Sequence, residues 1–405
     1  MNALVDIRPL RENRTYRRLW LGTTASGFGG QFSGFATIYY VWQRTHSAAV
    51  VGLVGLAVGV PLIVLALAGS AFVDHVDRRR LAVVCTWVQL LVSATMTAVA
   101  FTDFGGVPAM MLLVAVSSGA SALGGPARRT FLPALLAGER LAAGLALNHS
   151  SFQLAMLTGP AAAGALTAAF GLPWCFAFDT LSFVAALIGL AGLPGGITGG
   201  EGPAGLAAVK AGISYAARTP QVRGALLADL AATVFAMPFA LFPVINAEHF
   251  GGRPEVLGLF TTAVAVGGVT ASVLSGLATR RRRPGVVLLT CGSVWAVSLG
   301  LAGTVTHLPA VLVLLACAGA ADTWAVVSRG TVVQTVTPDA YRGRVSSLEF
   351  VAGAAGPQLG NMRAGLVAAA TSGGAALAIG GLTGVAATAL IAVTTPALRR
   401  FTTDQ

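Results

Sequence analysis

Charge is what this sequence has least of. Only 10% of its 405 residues are Asp, Glu, Lys or Arg, against 55% that are hydrophobic. A soluble domain carries about 25% charged residues because its surface faces water, so most of this chain's surface faces something else. Also missing are segments of about ten residues that alternate apolar and polar, which excludes a spanning β-barrel. No Gly-x-x-x-x-Gly-Lys-Ser/Thr loop occurs, so ATP is not expected to drive this protein directly. No His-Glu-x-x-His or cysteine-cluster spacing points to a metal. The four cysteines, Cys85, Cys175, Cys291 and Cys317, fall inside apolar stretches and read as inert thiols. The first fifteen residues are polar and basic (Arg8, Arg11, Arg14) and are not expected to be a signal peptide. No enzymatic activity and no cofactor are expected.

Long apolar runs are abundant instead. Ala48 to Val73, Leu81 to Ala100 and Val286 to Val305 carry almost no charge, and about 20 residues at about 1.5 Å rise cross a hydrocarbon layer of about 30 Å. Spans are expected near 16–43, 48–73, 81–101, 107–128, 142–169 and 171–193. After a polar stretch, 194–222, six more are expected near 223–247, 255–279, 285–305, 309–330, 344–370 and 373–396. Sorting the basic residues by loop puts 23 of the 26 on one side. Arg44 and Arg253 fall on the other, and Arg363 lies within a span. Lys and Arg collect in cytoplasmic loops, so an even number of spans is expected, with both termini cytoplasmic in a plasma (inner) membrane. The same sorting explains the net charge of +11 without nucleic acid, which is not an expected partner.

The chain repeats itself weakly. Gly159-Pro160-x-x-Ala163-Gly164 returns as Gly356-Pro357-x-x-Gly360, 197 residues later. Gly52-Leu53 and Gly69 return as Gly258-Leu259 and Gly276. Two six-span units in the same orientation form a parallel-repeat architecture used by transporters. The expected fold is therefore all-α, twelve transmembrane helices in two six-helix bundles related by a pseudo-two-fold repeat. The bundles would occupy 1–193 and 223–405, with 194–222 as a cytoplasmic linker.

Several segments then resemble one family. Gly69-Ser-Ala-Phe-Val-Asp74 followed by Arg78-Arg79-Arg80 resembles the loop signature of the major facilitator superfamily. Ala155-x-x-x-Gly159-Pro160-x-x-Ala163-Gly164 is similar to its antiporter motif. The stretches Ala122 to Leu135, Phe178 to Phe183, Gly319 to Asp322 and Gln334 to Arg344 are similar to its enterobactin-exporter branch. The resemblance implies a secondary transporter working by alternating access, with Gly69, Asp74 and Arg78 forming a conformational latch.

Candidate residues follow from cost. An ionisable group in the middle of a span costs at least about 2.5 kcal/mol on insertion scales, so each asks for a role. Asp322 and Asp229 are candidates for carrying a coupling proton, because desolvation disfavours the charged form of a carboxyl. The alternative is a structural pair, Asp322 or Glu349 with Arg329. Arg363, farther along the eleventh span, is a further gating candidate. Gly159, Pro160, Gly356 and Pro357 read as hinges or close-packing points. Gln31, Phe35, Asn148, Gln153, Trp324 and Gln358 are candidate substrate contacts, since amides facing lipid are costly and aromatic cavities suit amphipathic ligands. Asp179 reads as a cap or packing contact. The expected partners are a small molecule, protons and the lipid bilayer, with the chain acting as a monomer. The expected function is proton-coupled export of a siderophore-like or drug-like compound. A broad multidrug or natural-product pump and a non-transporting membrane sensor remain alternatives.

Overall fold

A computed structural model describes residues 6–73, 76–193, 195, 206–274 and 282–402, with the side chains of all but 68–73 and 206. Every regular element among them is helical. The order begins α1 (Arg8–Glu12), α2 (Arg14–Thr45), α3 (Ala48–Val73), α4 (Arg78–Thr102), α5 (Gly106–Arg129), α6 (Phe131–Leu135), α7 (Glu139–Phe170) and α8 (Pro173–Leu190). It continues with α9 (Leu206–Arg218), α10 (Pro220–Ala236), a 3₁₀ turn (Phe239–Leu241), α11 (Phe242–Phe250), α12 (Pro254–Val273) and α13 (Pro284–Ala302). It ends with α14 (Leu308–Val336), α15 (Asp339–Ala370), α16 (Gly373–Thr394) and α17 (Pro396–Arg400).

The helices start where the sequence permits. Proline opens α8, α10, α12, α13 and α14, where its missing N–H costs nothing. The Asp77 side chain accepts from the Arg80 amide at 2.9 Å to cap α4, and Ser372 accepts from Ala375 at 3.1 Å to cap α16. Among the described residues, nine helical stretches are long and apolar enough to cross a membrane. Three more helices, α2, α7 and α15, are 32 residues each and miss that mark only by their polarity. Together they make twelve. Large apolar side chains such as Leu181 (68% exposed) and Leu382 (73% exposed) point outward, as a lipid-facing surface requires.

The chain divides into two compact units, Met1–Tyr40 with Val60–Gly202, and Val41–Gly59 with Pro203–Gln405. In the first, Leu19, Ala82, Ala127, Phe131 and Leu190 form one core cluster. Tyr16, Leu132, Leu136 and Leu147 form another. In the second, Val222, Leu226, Leu288, Val332, Val345, Ile391 and Leu398 pack together. The division differs from the expected bundle limits in two places. Val41–Gly59 belongs to the second unit because glycine lets backbones touch: a Cβ on Gly365 of α15 would lie 2.9 Å from the Gly52 Cα. Residues 206–218, expected within a linker, form α9, whose Ala208, Val209 and Ala216 are buried. Its Gly212 lies directly against the Arg344 carbonyl of α15.

Two spans also depart from expectation. The tenth runs on to Val336 rather than ending near 330, so Arg329 lies about two turns inside the helix instead of at its end. The seventh is broken. Helix α10 stops at Ala236, because Pro238 offers no N–H to continue it, and the chain re-forms through the 3₁₀ turn into α11.

Candidate functional site

Three helices of the second unit bring four of the singled-out ionisable residues to one place. Arg329 on α14 forms an ion pair with the Asp229 carboxylate on α10. Its Nε lies 3.9 Å from the Glu349 carboxylate on α15. Asp322, two turns before Arg329 on α14, interacts through charge with both Asp229 and Arg329. Arg329 and Asp229 expose only 16% and 14% of their side chains. Of the two structural pairings expected for Arg329, the Glu349 contact is present at the limit of an ion pair. The guanidinium turns to Asp229 and not to Asp322, because Asp322 sits about 10 Å along the same helix while Asp229 faces it from a neighbouring one. Glu349 also lines a cavity of about 240 Å³ with Gln334, Thr337, Arg342 and Ser346.

Arg363 stands apart from this cluster. Its guanidinium donates to the Phe235 carbonyl and lies over the Phe235 ring, 5.7 Å from the centroid. The Asn361 side chain on the same helix accepts from the Ala240 amide at 3.1 Å. Both residues therefore serve the break after α10, whose freed backbone groups need partners where water is excluded. Arg363, expected among the gating residues, caps the end of α10.

The candidate substrate contacts separate in the same way. Asn148 lines a recess of about 560 Å³ in the first unit, together with Thr23, Arg128, Arg129, His149 and Ser151. Arg128 donates to the Gln89 side chain at 3.3 Å, and no carboxylate among the described residues pairs with it. Both arginines were sorted as loop residues on sequence. They lie on α5 because that helix continues through Pro126. Gln31 donates to the Met156 sulfur at 3.2 Å, and Gln153 is half-buried on α7. Phe35 is buried and stacks on Tyr39 at 5.9 Å. Trp324 donates its indole N–H to the Ala271 carbonyl at 2.9 Å, which ties α14 to α12. Gln358 packs against the middle of α3, where a Cβ on Gly59 would meet its side chain at 2.9 Å.

The Gly-Pro elements occupy matching places. A Cβ on Gly159 would lie 2.6 Å from the Gln31 Cβ, and one on Gly356 would collide with the Thr233 hydroxyl. Each glycine marks a close helix approach within its own unit, and α7 and α15 remain continuous through Pro160 and Pro357. Of the expected latch, Gly69 lies in α3 and Arg78 is the buried first residue of α4. Asp74 lies outside the described residues.

Comparison with known proteins places this geometry. Residues 5–404 match the model of a family described as transmembrane secretion effectors. The multidrug efflux pump Tap of Mycolicibacterium fortuitum is 28% identical over 349 residues, covering 81% of this chain and 84% of Tap. The enterobactin exporter EntS of Shigella boydii serotype 4 (strain Sb227) is 24% identical over 362 residues, covering 88% and 86%. Among solved structures, an inward-facing bacterial homologue of the iron transporter ferroportin superposes with a TM-score of 0.74 at 17% identity, covering 96% of this chain and 99% of that one. The nucleoside transporter NupG gives 0.73 at 13% identity, covering 96% and 99%. The chain is thus a member of the transmembrane secretion effector family within the major facilitator superfamily, a multi-pass secondary transporter that exports small molecules.

Proposed function

We propose that this protein exports a drug-like or siderophore-like amphipathic compound in exchange for protons, by alternating access. The observation that carries the proton coupling is the second-unit cluster, one guanidinium among Asp229, Asp322 and Glu349. A single positive charge does not balance three carboxylates, so the cluster takes up positive charge, and the proton is its smallest carrier. Protonating Asp229 would weaken its pairing with Arg329 and free the guanidinium for the other carboxyls. That gives a proton-controlled rearrangement among three helices. The first-unit recess around Asn148, Arg128 and Arg129 suits the acceptor-bearing end of a ligand, with Gln31, Gln153 and Phe35 on the same unit. Gly159 and Gly356 are the points where helices would slide during the cycle, and Gly69, Asp74 and Arg78 would latch one state. The chain would act as a monomer in the plasma membrane, both termini cytoplasmic.

A broader multidrug pump is a second reading, favoured by the likeness to Tap. Comparing efflux of a siderophore and of a cationic dye panel in a deletion strain separates the two. For the coupling, the purified protein in liposomes should drive ethidium uphill under an imposed pH gradient. Asp322→Asn should abolish that dependence, and full retention of coupling in this variant overturns the role given to Asp322.

A further inference from the structure

One buried acid takes no part in the second-unit cluster. Asp179, on α8 of the first unit, exposes 3% of its surface. Among the described residues no arginine, lysine or histidine bonds it. The groups that face it are hydroxyls: Ser33 from α2, Ser93 from α4 and Ser182 from its own helix. Other titratable groups on or beside these elements have partners of their own: Cys175 on α8 lies 3.2 Å from the Thr167 hydroxyl, and Arg128 on the neighbouring α5 donates to Gln89, one turn before Ser93 on α4. An unpaired carboxylate at that depth is costly, so the group is held neutral or finds a cation.

The surrounding hydroxyls are arranged to serve two states. Ser93 Oγ lies 2.8 Å from Asp179 Oδ2 and 3.3 Å from the Phe176 carbonyl. Ser182 Oγ lies 3.5 Å from Asp179 Oδ1 and 2.6 Å from the Asp179 carbonyl. Each hydroxyl can donate to the carboxylate, or turn to a backbone carbonyl and accept from the carboxylic O–H. Neither state leaves a polar group unsatisfied, since a hydroxyl carries one donor and two acceptor sites. The chain of hydroxyls also continues. Ser93 meets Thr180 at 3.1 Å, and Thr180 meets Thr97 at 3.2 Å. Thr97 is only half-buried, near the far end of α4.

We infer that Asp179 is a proton-binding site of the first unit, loaded and unloaded along the Ser93–Thr180–Thr97 hydroxyl chain. In loading, a proton enters at Thr97 and each hydroxyl passes one on. Ser93 gives its proton to the carboxylate and regains one from Thr180, so charge and atoms balance without a co-reactant. The site is distinct from the Arg329 cluster, and its use in a transport cycle rests on the proton-coupled reading above.

Infrared spectroscopy of the full chain in liposomes tests the site without requiring transport. Between acid and alkaline buffer, the wild type should lose a protonated-carboxyl stretching band that is absent in Asp179→Asn and moved in Asp179→Glu. Thr97→Val and Thr180→Val, which leave the carboxyl in place, should slow hydrogen–deuterium exchange of that band about tenfold, the equivalent of one lost hydrogen bond. Should Asp179→Asn not fold, Ser93→Ala must still change the pH at which the band disappears. An Asp179→Asn spectrum identical to wild type overturns the inference. So does abolition of the band by sodium in place of choline, which would make the site a sodium site. Unchanged exchange in both threonine variants overturns the relay. Loss of ethidium transport in Asp322→Asn with the infrared band intact would keep the two sites apart.

Discussion

Arg329 and Asp229, a hundred residues apart in sequence, form the ion pair that holds α14 to α10. Both side chains are largely buried, so removing one leaves the other uncompensated. Breaking a buried pair costs about 3–5 kcal/mol, whereas replacing both partners costs much less. Arg329→Leu should therefore lower the thermal unfolding midpoint in detergent by many degrees. The double variant Arg329→Leu/Asp229→Leu should recover most of the loss. Equal destabilisation by single and double variants would show that the pair is not the interaction being lost.

Asn148 and Trp324 were both candidate substrate contacts, and their surroundings now separate them. Asn148 is exposed in the first-unit recess beside Arg128 and His149. Trp324 spends its only donor on the Ala271 carbonyl. Asn148→Leu should raise the apparent KM for an exported dye severalfold while leaving the unfolding midpoint in place. Trp324→Phe should do the reverse, costing about 1 kcal/mol of stability with KM unchanged. Dye efflux from energised vesicles, paired with thermal unfolding, reads both.

The two Gly-Pro elements make opposite predictions for their two residues. The glycines sit against neighbouring helices, so Gly159→Leu and Gly356→Leu must push Gln31 and Thr233 aside. Overpacking of this kind costs about 1–3 kcal/mol and should slow efflux at least tenfold. The prolines interrupt no helix here. Pro160→Ala and Pro357→Ala restore an N–H that each helix can use, and they should keep the unfolding midpoint or raise it. A larger loss of efflux in the proline variants than in the glycine variants would return the hinge role to the prolines.

How much of this was legible depended on what each feature needs. Hydropathy needs only a window of residues, so among the described residues the span limits fall within about five positions of expectation, apart from the break at Pro238 and the extension after 330; the expected end of the eighth span, at 279, lies outside the described residues. The type of residue in the acidic cluster was also legible, because a charge in an apolar run is conspicuous by itself. Which carboxylate Arg329 takes was not, since that depends on how three helices are rotated about their axes. Arg128 and Arg129 fall at the end of the expected span 107–128 and so sort with the loops on sequence, whereas α5 carries both of them past Pro126. In a membrane the freed carbonyl finds other partners, and the helix runs on. Asp179 looked like a cap because it sits near a helix start. Its isolation from every cation among the described residues is a fact of packing that no sequence window contains. The same holds for Val41–Gly59, whose glycines show that something comes close but not what.

Arg363 offers a direct test of whether an intramembrane charge serves gating or structure. It was a gating candidate because a charge within a span is costly, yet it is spent on the Phe235 carbonyl at the end of α10. A helix that stops inside a membrane leaves carbonyls without partners, and arginine near a helix C-terminus supplies them. Arg363→Leu should therefore orphan the Phe235 carbonyl and cost about 1–3 kcal/mol, seen as a lower unfolding midpoint and faster proteolysis. Arg363→Lys keeps a donor and a charge near the same carbonyl and should recover most of the stability. Neither variant should change the number of protons exchanged per dye molecule, because the guanidinium makes no contact with Asp229, Asp322 or Glu349 among the described residues. Proton flux and dye flux measured together in liposomes decide it: an altered ratio in Arg363→Lys, with stability intact, would put Arg363 back in the coupling machinery.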